Sequence, residues 1–338
     1  MKEKEKKQKT AQILHADLHR RRDNKYQFLN SNSSSTVKWE EIKPQTPFLL
    51  FVAQNMEMHG EYEKGFQLNV LFEKNSMGIT SGNDDFLVAH YETELKMRFP
   101  NSLCLYSILY RIFDIRFIYY DKSLVCRPRL EIMKNFTLSD NIGFISLKRT
   151  RGEQPVNIFL TDEIIDKADI SNLDNAQIFP LYLYPSADEL TVDGKAAERV
   201  PNLNMEIVAK FAEKIGARFE QRSADIPVHE FKNDEVSFTP ENFLDYIYAV
   251  LHSPNYREKY KEFLKIDFPR IPLPDNAEQL WKFVLKGCEL RKLHLMESPE
   301  LDKPITSHPV PGDNVVEKVS FVCGANLGLR QSSAALFS

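Results

Sequence analysis

Apolar residues recur at helical spacing in the stretch Phe238–Pro272, which gives the clearest structural signal in the chain. A helix is predicted to begin after Thr239, because threonine caps helix N-termini and Pro240 suits the first helical position. Ser253 and the proline after it end this helix and cap a second one. Two prolines exclude a helix at residues 267–272. The pattern therefore predicts a helical hairpin followed by a rigid extended segment, packed as core.

Short apolar runs predict strands in the middle third, and helical periodicity predicts helices on both sides of it. Prolines bound the run Phe179–Pro185, which favours the edge of a sheet. Residues Asn30–Ser35 are polar and predict a linker or loop. We therefore expect an α+β fold. Further helices are predicted at 11–22, 203–215 (ending at Gly216) and 276–296, and strands at 48–52, 143–149, 156–160 and 315–321.

The charge balance excludes a chain that binds nucleic acid through its bulk charge. Lysine and arginine number 44 against 48 acidic residues in 338, a net charge of −4. Any DNA contact must therefore come from a local patch. The four cysteines form no CxxC pair, so neither a zinc site nor a disulfide framework is indicated. No signal peptide and no apolar run of about 18 residues is present, so we expect a cytoplasmic protein.

The stretch Leu109–Arg129 interleaves aromatic and basic residues and is the strongest candidate for a functional surface. Arginine can bind guanine or phosphate with the same planar fork, and neighbouring aromatic side chains can stack on bases. The pattern also fits a β-hairpin with buried aromatics and arginines paired to Asp114 and Asp121, so both interpretations stay open. The candidates for DNA contact here are Arg111, Arg116, Tyr119, Tyr120, Lys122, Arg127 and Arg129.

A second positive cluster follows the strand predicted at 143–149. It consists of Lys148, Arg149 and Arg151, of which the last lies in a turn with Thr150 and Gly152. A charge run at a strand end is usually only solvated, so DNA contact and simple solvation both remain open for these residues.

Several motifs resemble one protein family. The sequences DYIYAVLHSPNYR at 245–257, FLKIDFPRIP at 263–272 and LYRIFDIRFIYYD at 109–121, together with the turn Gly78–Gly82, resemble the C-terminal part of type ISP and type IIG restriction–modification enzymes. The resemblance covers about residues 37–321. In that family a nuclease or helicase and an adenine methyltransferase precede a C-terminal DNA specificity region. The family often has basic residues in the Gly78–Gly82 turn, and this chain has none.

The resemblance implies a division of the chain and a partner. A β-rich target-recognition domain at 77–190 would contact the major groove of double-stranded DNA, and a helical segment at 200–298 would brace it. Residues 1–36 would form a charged, partly helical segment and linker, 37–76 a connector from a missing methyltransferase domain, and 299–338 a loop, a strand and a tail. An upstream methyltransferase or nuclease domain would be a further partner, and S-adenosylmethionine and magnesium would bind only there.

Catalytic motifs of the family are missing from this sequence. It has neither a glycine-rich methyl-donor turn nor the Asn/Asp-Pro-Pro-Tyr/Phe motif that holds a flipped adenine. It has no Walker motif, and no Asp/Glu-x-Lys suited to magnesium follows its single Pro-Asp, at Pro274. We therefore expect no methylation or cleavage by this chain alone. The segment Val322–Ser338 does not resemble the family's continuation, and a truncated or frameshifted gene is the simplest explanation of it. The alternative expectation for the whole chain is an orphan fragment that acts as a protein-interaction scaffold, or a non-functional gene remnant.

Overall fold

The computed structural model describes residues 11–18, 21–44, 51, 56–100, 103–149, 158–168, 170, 174–185, 198–221 and 237–303. The chain divides into two compact units, Met1–Gly65 and Phe66–Ser338. The boundary predicted between a β-rich part and a helical part near residue 190 stays a prediction. Within the described ranges, no helix is both long and apolar enough to cross a membrane.

The first unit contains a two-stranded ribbon and two helices among its described residues. Strand β1 (Ile13–His15) pairs antiparallel with β2 (Glu40–Ile42), and helices α1 (Arg22–Ser31) and α2 (Met56–Tyr62) complete the set. The helix predicted at 11–22 is therefore wrong at β1, because cross-strand pairing outweighs the weak local preference for helix. The polar linker begins two residues later than predicted, since α1 continues to Ser31.

The second unit contains the remaining elements. Among the described residues its helices are α3 (Leu68–Leu71), α4 (Asp84–Leu87), α5 (Glu92–Arg98), α6 (Leu130–Thr137), α7 (Met205–Ile215), α8 (Pro240–His252), α9 (Pro254–Lys259), α10 (Lys261–Leu264) and α11 (Ala277–His294), followed by a 3-10 turn at Pro299–Asp302. Its strands are β3 (Phe66–Gln67), β4 (Ser76–Met77), β5 (Val88–Ala89), β6 (Leu105–Arg111), β7 (Asp114–Tyr119), β8 (Gly143–Leu147), β9 (Ile158–Thr161), β10 (Ile164–Ile165), β11 (Ala176–Pro180), β12 (Tyr182–Leu183), β13 (Val200–Pro201), β14 (Arg218–Phe219), β15 (Ser237–Phe238) and β16 (Arg270–Ile271).

Two four-stranded sheets form the centre of this unit. One has the order β10-β6-β7-β5 and the other the order β4-β11-β8-β9. Strands β6 and β7 form an antiparallel hairpin in which Ile108 lies opposite Arg116, while β10 runs parallel to β6. Strand β11 lies between β4 and β8, but β4 pairs only with its residues 177 and 178. Phe179 and Pro180 pair with β8 alone, which agrees with the predicted position at a sheet edge. Pro180 is tolerated because it ends that strand, opposite Gly143.

The helix boundaries predicted from capping residues are confirmed. Thr239 caps α8 by accepting a hydrogen bond from the amide of Asn242 at 3.3 Å, and Ser253 caps α9. Helix α7 ends at Gly216, which has a left-handed φ of 66°. The extended segment after α10 pairs with the start of the unit, because β16 and β3 are antiparallel neighbours. The strands predicted at 48–52 and 315–321 fall outside the described residues, except for Phe51.

The first core lies between the two four-stranded sheets and α6. It contains fully buried residues from both sheets, such as Ile118 of β7 and Ile178 of β11, together with Met133 of α6. Burying each such side chain contributes about 1.5–3 kcal/mol relative to leaving it exposed. This packing of one helix on sheets confirms the predicted α+β class.

A second, aromatic core joins the helices. The ring of Phe211 in α7 is fully buried and lies 4.5 Å from Phe243 and 5.4 Å from Phe238, measured between centroids. The rings of Phe144 in β8 and Tyr248 in α8 are 6.0 Å apart. Phe144 is not part of the first core, whereas the next residue of β8 is, so this sheet packs against a different core on each of its faces.

Helices α8 and α11 pack closely because a glycine lies at their contact. A Cβ atom at Gly287 would lie 1.9 Å from the carbonyl oxygen of Asp245. The Asp245 carboxylate is buried and accepts hydrogen bonds from Arg291 Nε at 2.7 Å and Nη2 at 3.0 Å. Burial raises the pKa of Asp245, and the pairing with Arg291 acts against that rise.

Replacing Gly287 by alanine tests this close approach. The added methyl group must push the two helices apart, so we expect Gly287→Ala to lower the free energy of unfolding by about 1–3 kcal/mol. Urea denaturation measures the change. Gly60→Ala is the matched control, because nothing lies within 4 Å of a Cβ at that helical position. Equal stability of the two variants would contradict the tight contact.

Candidate nucleic-acid interface

The β6–β7 hairpin brings two of the predicted arginines onto one aromatic ring. The guanidinium carbons of Arg111 and Arg116 lie 4.3 Å and 3.9 Å from the centroid of the Tyr110 ring. Arg116 donates to Asp114 from Nε at 3.0 Å and from Nη2 at 2.7 Å, and this pairing raises the pKa of Arg116. Arg111 Nη1 lies 3.1 Å from Asp166 Oδ1. Both arginines are therefore paired within the protein.

Tyr110 is itself fixed from the other side. Its hydroxyl donates to Asp84 Oδ2 at 2.8 Å, and this hydrogen bond is the main cause of its raised pKa. Asp84 also accepts a hydrogen bond from the Ser81 hydroxyl. The ring that supports the arginines is thus tied to the turn Gly78–Gly82.

The Gly78–Gly82 turn has a structural role that the sequence pattern allowed but did not specify. The amide of Ile79 donates to the Ile165 carbonyl at 2.8 Å, and Thr80 and Arg127 exchange two backbone hydrogen bonds. A Cβ at Gly78 would lie 2.5 Å from the backbone of Asp166, so only glycine fits this approach. The turn therefore holds two other segments in place through backbone contacts: the one that contains Asp166 and the one that contains Arg127.

The two predicted tyrosines are used in packing. The ring of Tyr119 stacks on Phe99 at 3.8 Å and 10°, so one of its faces is covered. Tyr120 is only 7% exposed, and its hydroxyl donates to the carbonyl of Pro128. Burial raises the pKa of Tyr120 above its ordinary value. The structure thus places Tyr120 in the core and Tyr119 at its margin.

Four predicted basic side chains lie exposed at the surface: Lys122, Arg127, Lys148 and Arg149. Arg129 is half-buried, has a left-handed φ of 54° and precedes α6, and its Nε is buried with no hydrogen-bond partner among the described residues. Arg151 lies outside the described residues. Within those residues, no group of three or more His, Cys, Asp or Glu side chains could hold a metal ion.

The tip of the hairpin contacts the last helix. Phe113 has a left-handed φ of 61°, and its ring lies 6.0 Å from that of His294 in α11 and 6.5 Å from Phe159 in β9. His294 Nδ1 in turn forms a hydrogen bond with the Tyr248 hydroxyl in α8. The helical segment therefore braces the hairpin through a chain of aromatic contacts.

The histidines behind this contact are poorly hydrated. Burial lowers the pKa of His252 to about 4, with the positive charge of Arg257 as a second cause. The same two causes lower the pKa of His294. The rings of His252 and His294 lie 5.6 Å apart, and the lowered pKa of each favours its neutral form.

Sequence patterns identified part of this constellation. The proposed pairing of an arginine with Asp114 is confirmed, whereas Asp121 accepts hydrogen bonds from Ser123 instead. The pairing of Arg111 with Asp166 was missed because 55 positions separate the two residues. Predicting the parallel pairing of β6 and β10 would have brought these two residues together. That pairing could not be predicted, because a strand of two residues gives little sequence pattern.

The sequence matches the Type ISP C-terminal specificity domain over residues 100–328, which is more than half of the chain. The chain therefore belongs to this family, and the resemblance is confirmed for the motifs at 109–121, 245–257 and 263–272. The match continues to residue 328, so the expectation that the segment from Val322 does not resemble the family is wrong for its first seven residues. A comparison with curated proteins found no match.

Three solved structures share the fold. A cryo-EM structure of a DrdV–DNA complex matches with a TM-score of 0.57 and 20% sequence identity. This match covers 81% of this chain and 29% of the other. The ATP-dependent Type ISP restriction–modification enzyme LlaBIII bound to DNA matches with a TM-score of 0.53 and 19% sequence identity. This match covers 76% of this chain and 18% of the other. A nuclease-deletion mutant of the Type ISP restriction–modification enzyme LlaGI in complex with a DNA substrate mimic matches with a TM-score of 0.54 and 17% sequence identity. This match covers 81% of this chain and 27% of the other. This chain thus spans less than a third of each neighbour.

The histidine contact predicts a pH dependence of stability. The unfolded chain binds a proton at His252 near its ordinary pKa of 6.5, whereas the folded chain does so only near 4. Protonation therefore favours unfolding as the pH falls through this window, and we expect a loss of about 1–3 kcal/mol between pH 7 and pH 4.5.

Urea denaturation at both pH values measures the loss. We expect His252→Asn to reduce it, and His90→Asn, at an exposed histidine, to leave it unchanged. An unchanged loss in the His252 variant would show that this histidine is hydrated in the folded protein.

Proposed function

We propose that this chain is the DNA target-recognition part of a restriction–modification enzyme. Membership in the specificity-domain family carries the proposal, and the three structural neighbours, all solved with DNA or a DNA mimic, support it. The chain holds double-stranded DNA and leaves methylation and cleavage to domains that bind S-adenosylmethionine and magnesium. As for such enzymes, the site of action is the cytoplasm.

The charge distribution supports a division of roles. Lys122, Arg127, Lys148 and Arg149 are exposed, so they contact phosphates and position the protein. Arg111 and Arg116 are held by carboxylates and cannot supply the same net charge. The sheets at 77–190 face the groove, and the helices at 200–298 hold them, as the contact between Phe113 and His294 suggests.

The second candidate is a scaffold that binds another protein. The internal pairing of Arg111 and Arg116 is the observation that favours it, because it removes two positive charges from the surface. The four exposed basic side chains favour DNA binding more strongly.

Binding to mixed-sequence duplex DNA across a salt series tests the proposal. We expect log K to fall linearly with log salt concentration, by about 0.9 for each phosphate contacted. Arg127→Ala and Arg149→Ala should each make the slope shallower by about 0.9. Lys282→Ala, at a lysine with a 73% exposed side chain on α11, should leave it unchanged.

Absence of binding by the wild-type chain even at low salt would contradict DNA recognition by this chain and favour the scaffold. Equal slopes for all three variants would place the phosphate contacts on a different surface.

A further inference from the structure

Arg116 is restrained on one edge and on one face. Asp114 accepts from Nε and Nη2, and the guanidinium lies 3.9 Å from the centroid of Tyr110. The side chain of Arg116 is 25% exposed. The hydrogen bonds to Asp114 leave the Nη1 side of the fork unused. A planar donor pair therefore remains on the side away from the carboxylate.

These restraints prepare the fork for a planar partner. An arginine side chain ordinarily loses rotamer freedom when it binds, and a side chain already fixed in place avoids that cost. Tyr110 is held in turn by Asp84, so the platform cannot turn away from the guanidinium. The remaining Nη1 and Nη2 hydrogens match two acceptors that lie side by side.

The charge of the pair selects between the acceptors that DNA offers. Phosphate binding relies on net positive charge and counterion release, and the carboxylate of Asp114 cancels the charge of Arg116 while it would repel a nearby phosphate. The O6 and N7 atoms of guanine are uncharged acceptors in the major groove, and a bidentate arginine is their usual partner. A neutral pair therefore fits a base edge better than a phosphate.

We infer that Asp114 is a positioning residue that aims Arg116 at the major-groove edge of a guanine. This rests on the proposed function, since it specifies how the same surface reads DNA. Asp114 itself touches no base: it sets the orientation of the fork and removes its net charge.

The test uses the full chain and a duplex selected from a pool with a randomised centre. Affinity is measured for that duplex and for a copy in which 7-deazaguanine replaces guanine, which removes the N7 acceptor and keeps the base pairing. We expect the wild type to lose about fivefold or more on the modified duplex. The Asp114→Asn and Arg116→Lys variants should lose much less affinity on the modified duplex. The first substitution releases the guanidinium from its fixed orientation, and the second replaces the guanidinium by an ammonium group that cannot bind two acceptors in a plane.

A salt series separates positioning from simple damage. Asp114→Asn should bind mixed-sequence DNA more tightly than the wild type and with a slope steeper by about 0.9, since the freed guanidinium can contact a phosphate. Asp121→Asn is the matched control, because it removes the same charge at an exposed turn where the partner is Ser123. It should keep the full response to 7-deazaguanine. Thermal unfolding of each variant establishes that it is folded.

The outcomes distinguish DNA binding by the chain from the positioning role of Asp114. A wild type that binds no duplex overturns the proposed function, and the inference falls with it. A wild type that responds to 7-deazaguanine while Asp114→Asn and Arg116→Lys respond equally overturns only the role of Asp114. A variant whose affinity falls by the same factor for every duplex also overturns the role of Asp114.

Discussion

The carboxylate of Asp245, buried in α8, accepts two hydrogen bonds from Arg291 in α11, and Gly287 lets the two helices approach closely enough for this pair to form. A charge buried in this way is stable only while its partner is in place, so the pair fixes the position of α11. Since α11 ends at His294, the same contact determines where the tip of the β6–β7 hairpin can rest. The ion pair thus positions the helix that the hairpin tip contacts, while Asp114 and Asp166 orient the arginines within the hairpin region.

The surface that results has two kinds of basic side chain. Some are exposed and carry net charge, as Arg127 and Arg149 do, while Arg116 is neutralised by a neighbouring carboxylate. The first kind suits phosphates, and the second supplies directed hydrogen-bond donors with little long-range attraction. This separation explains how a chain with a net charge of −4 could recognise DNA, because only the local patch needs to be positive.

Local signals in the sequence predicted much of the helical part. Thr239 and Gly216 mark helix ends through interactions with their immediate neighbours, so both boundaries are confirmed. Contacts between distant segments could not be predicted in the same way: β1 forms because β2 pairs with it, and Asp166 reaches Arg111 only through a parallel strand contact. Burial of Tyr120 was one of two open interpretations, since an aromatic beside basic residues has the same pattern whether it packs or stacks on a base.

Amide hydrogen exchange of the full chain with and without duplex DNA is the decisive test of DNA recognition by the hairpin, because it locates the bound surface without changing any residue. We expect slower exchange on DNA binding in the β6–β7 hairpin, in the segment from Lys122 to Arg129 and at the end of β8. We expect little change in the part of α11 around Lys282, which lies away from the hairpin contact at His294. Protection confined to α11 with an unchanged hairpin would contradict DNA binding by the hairpin.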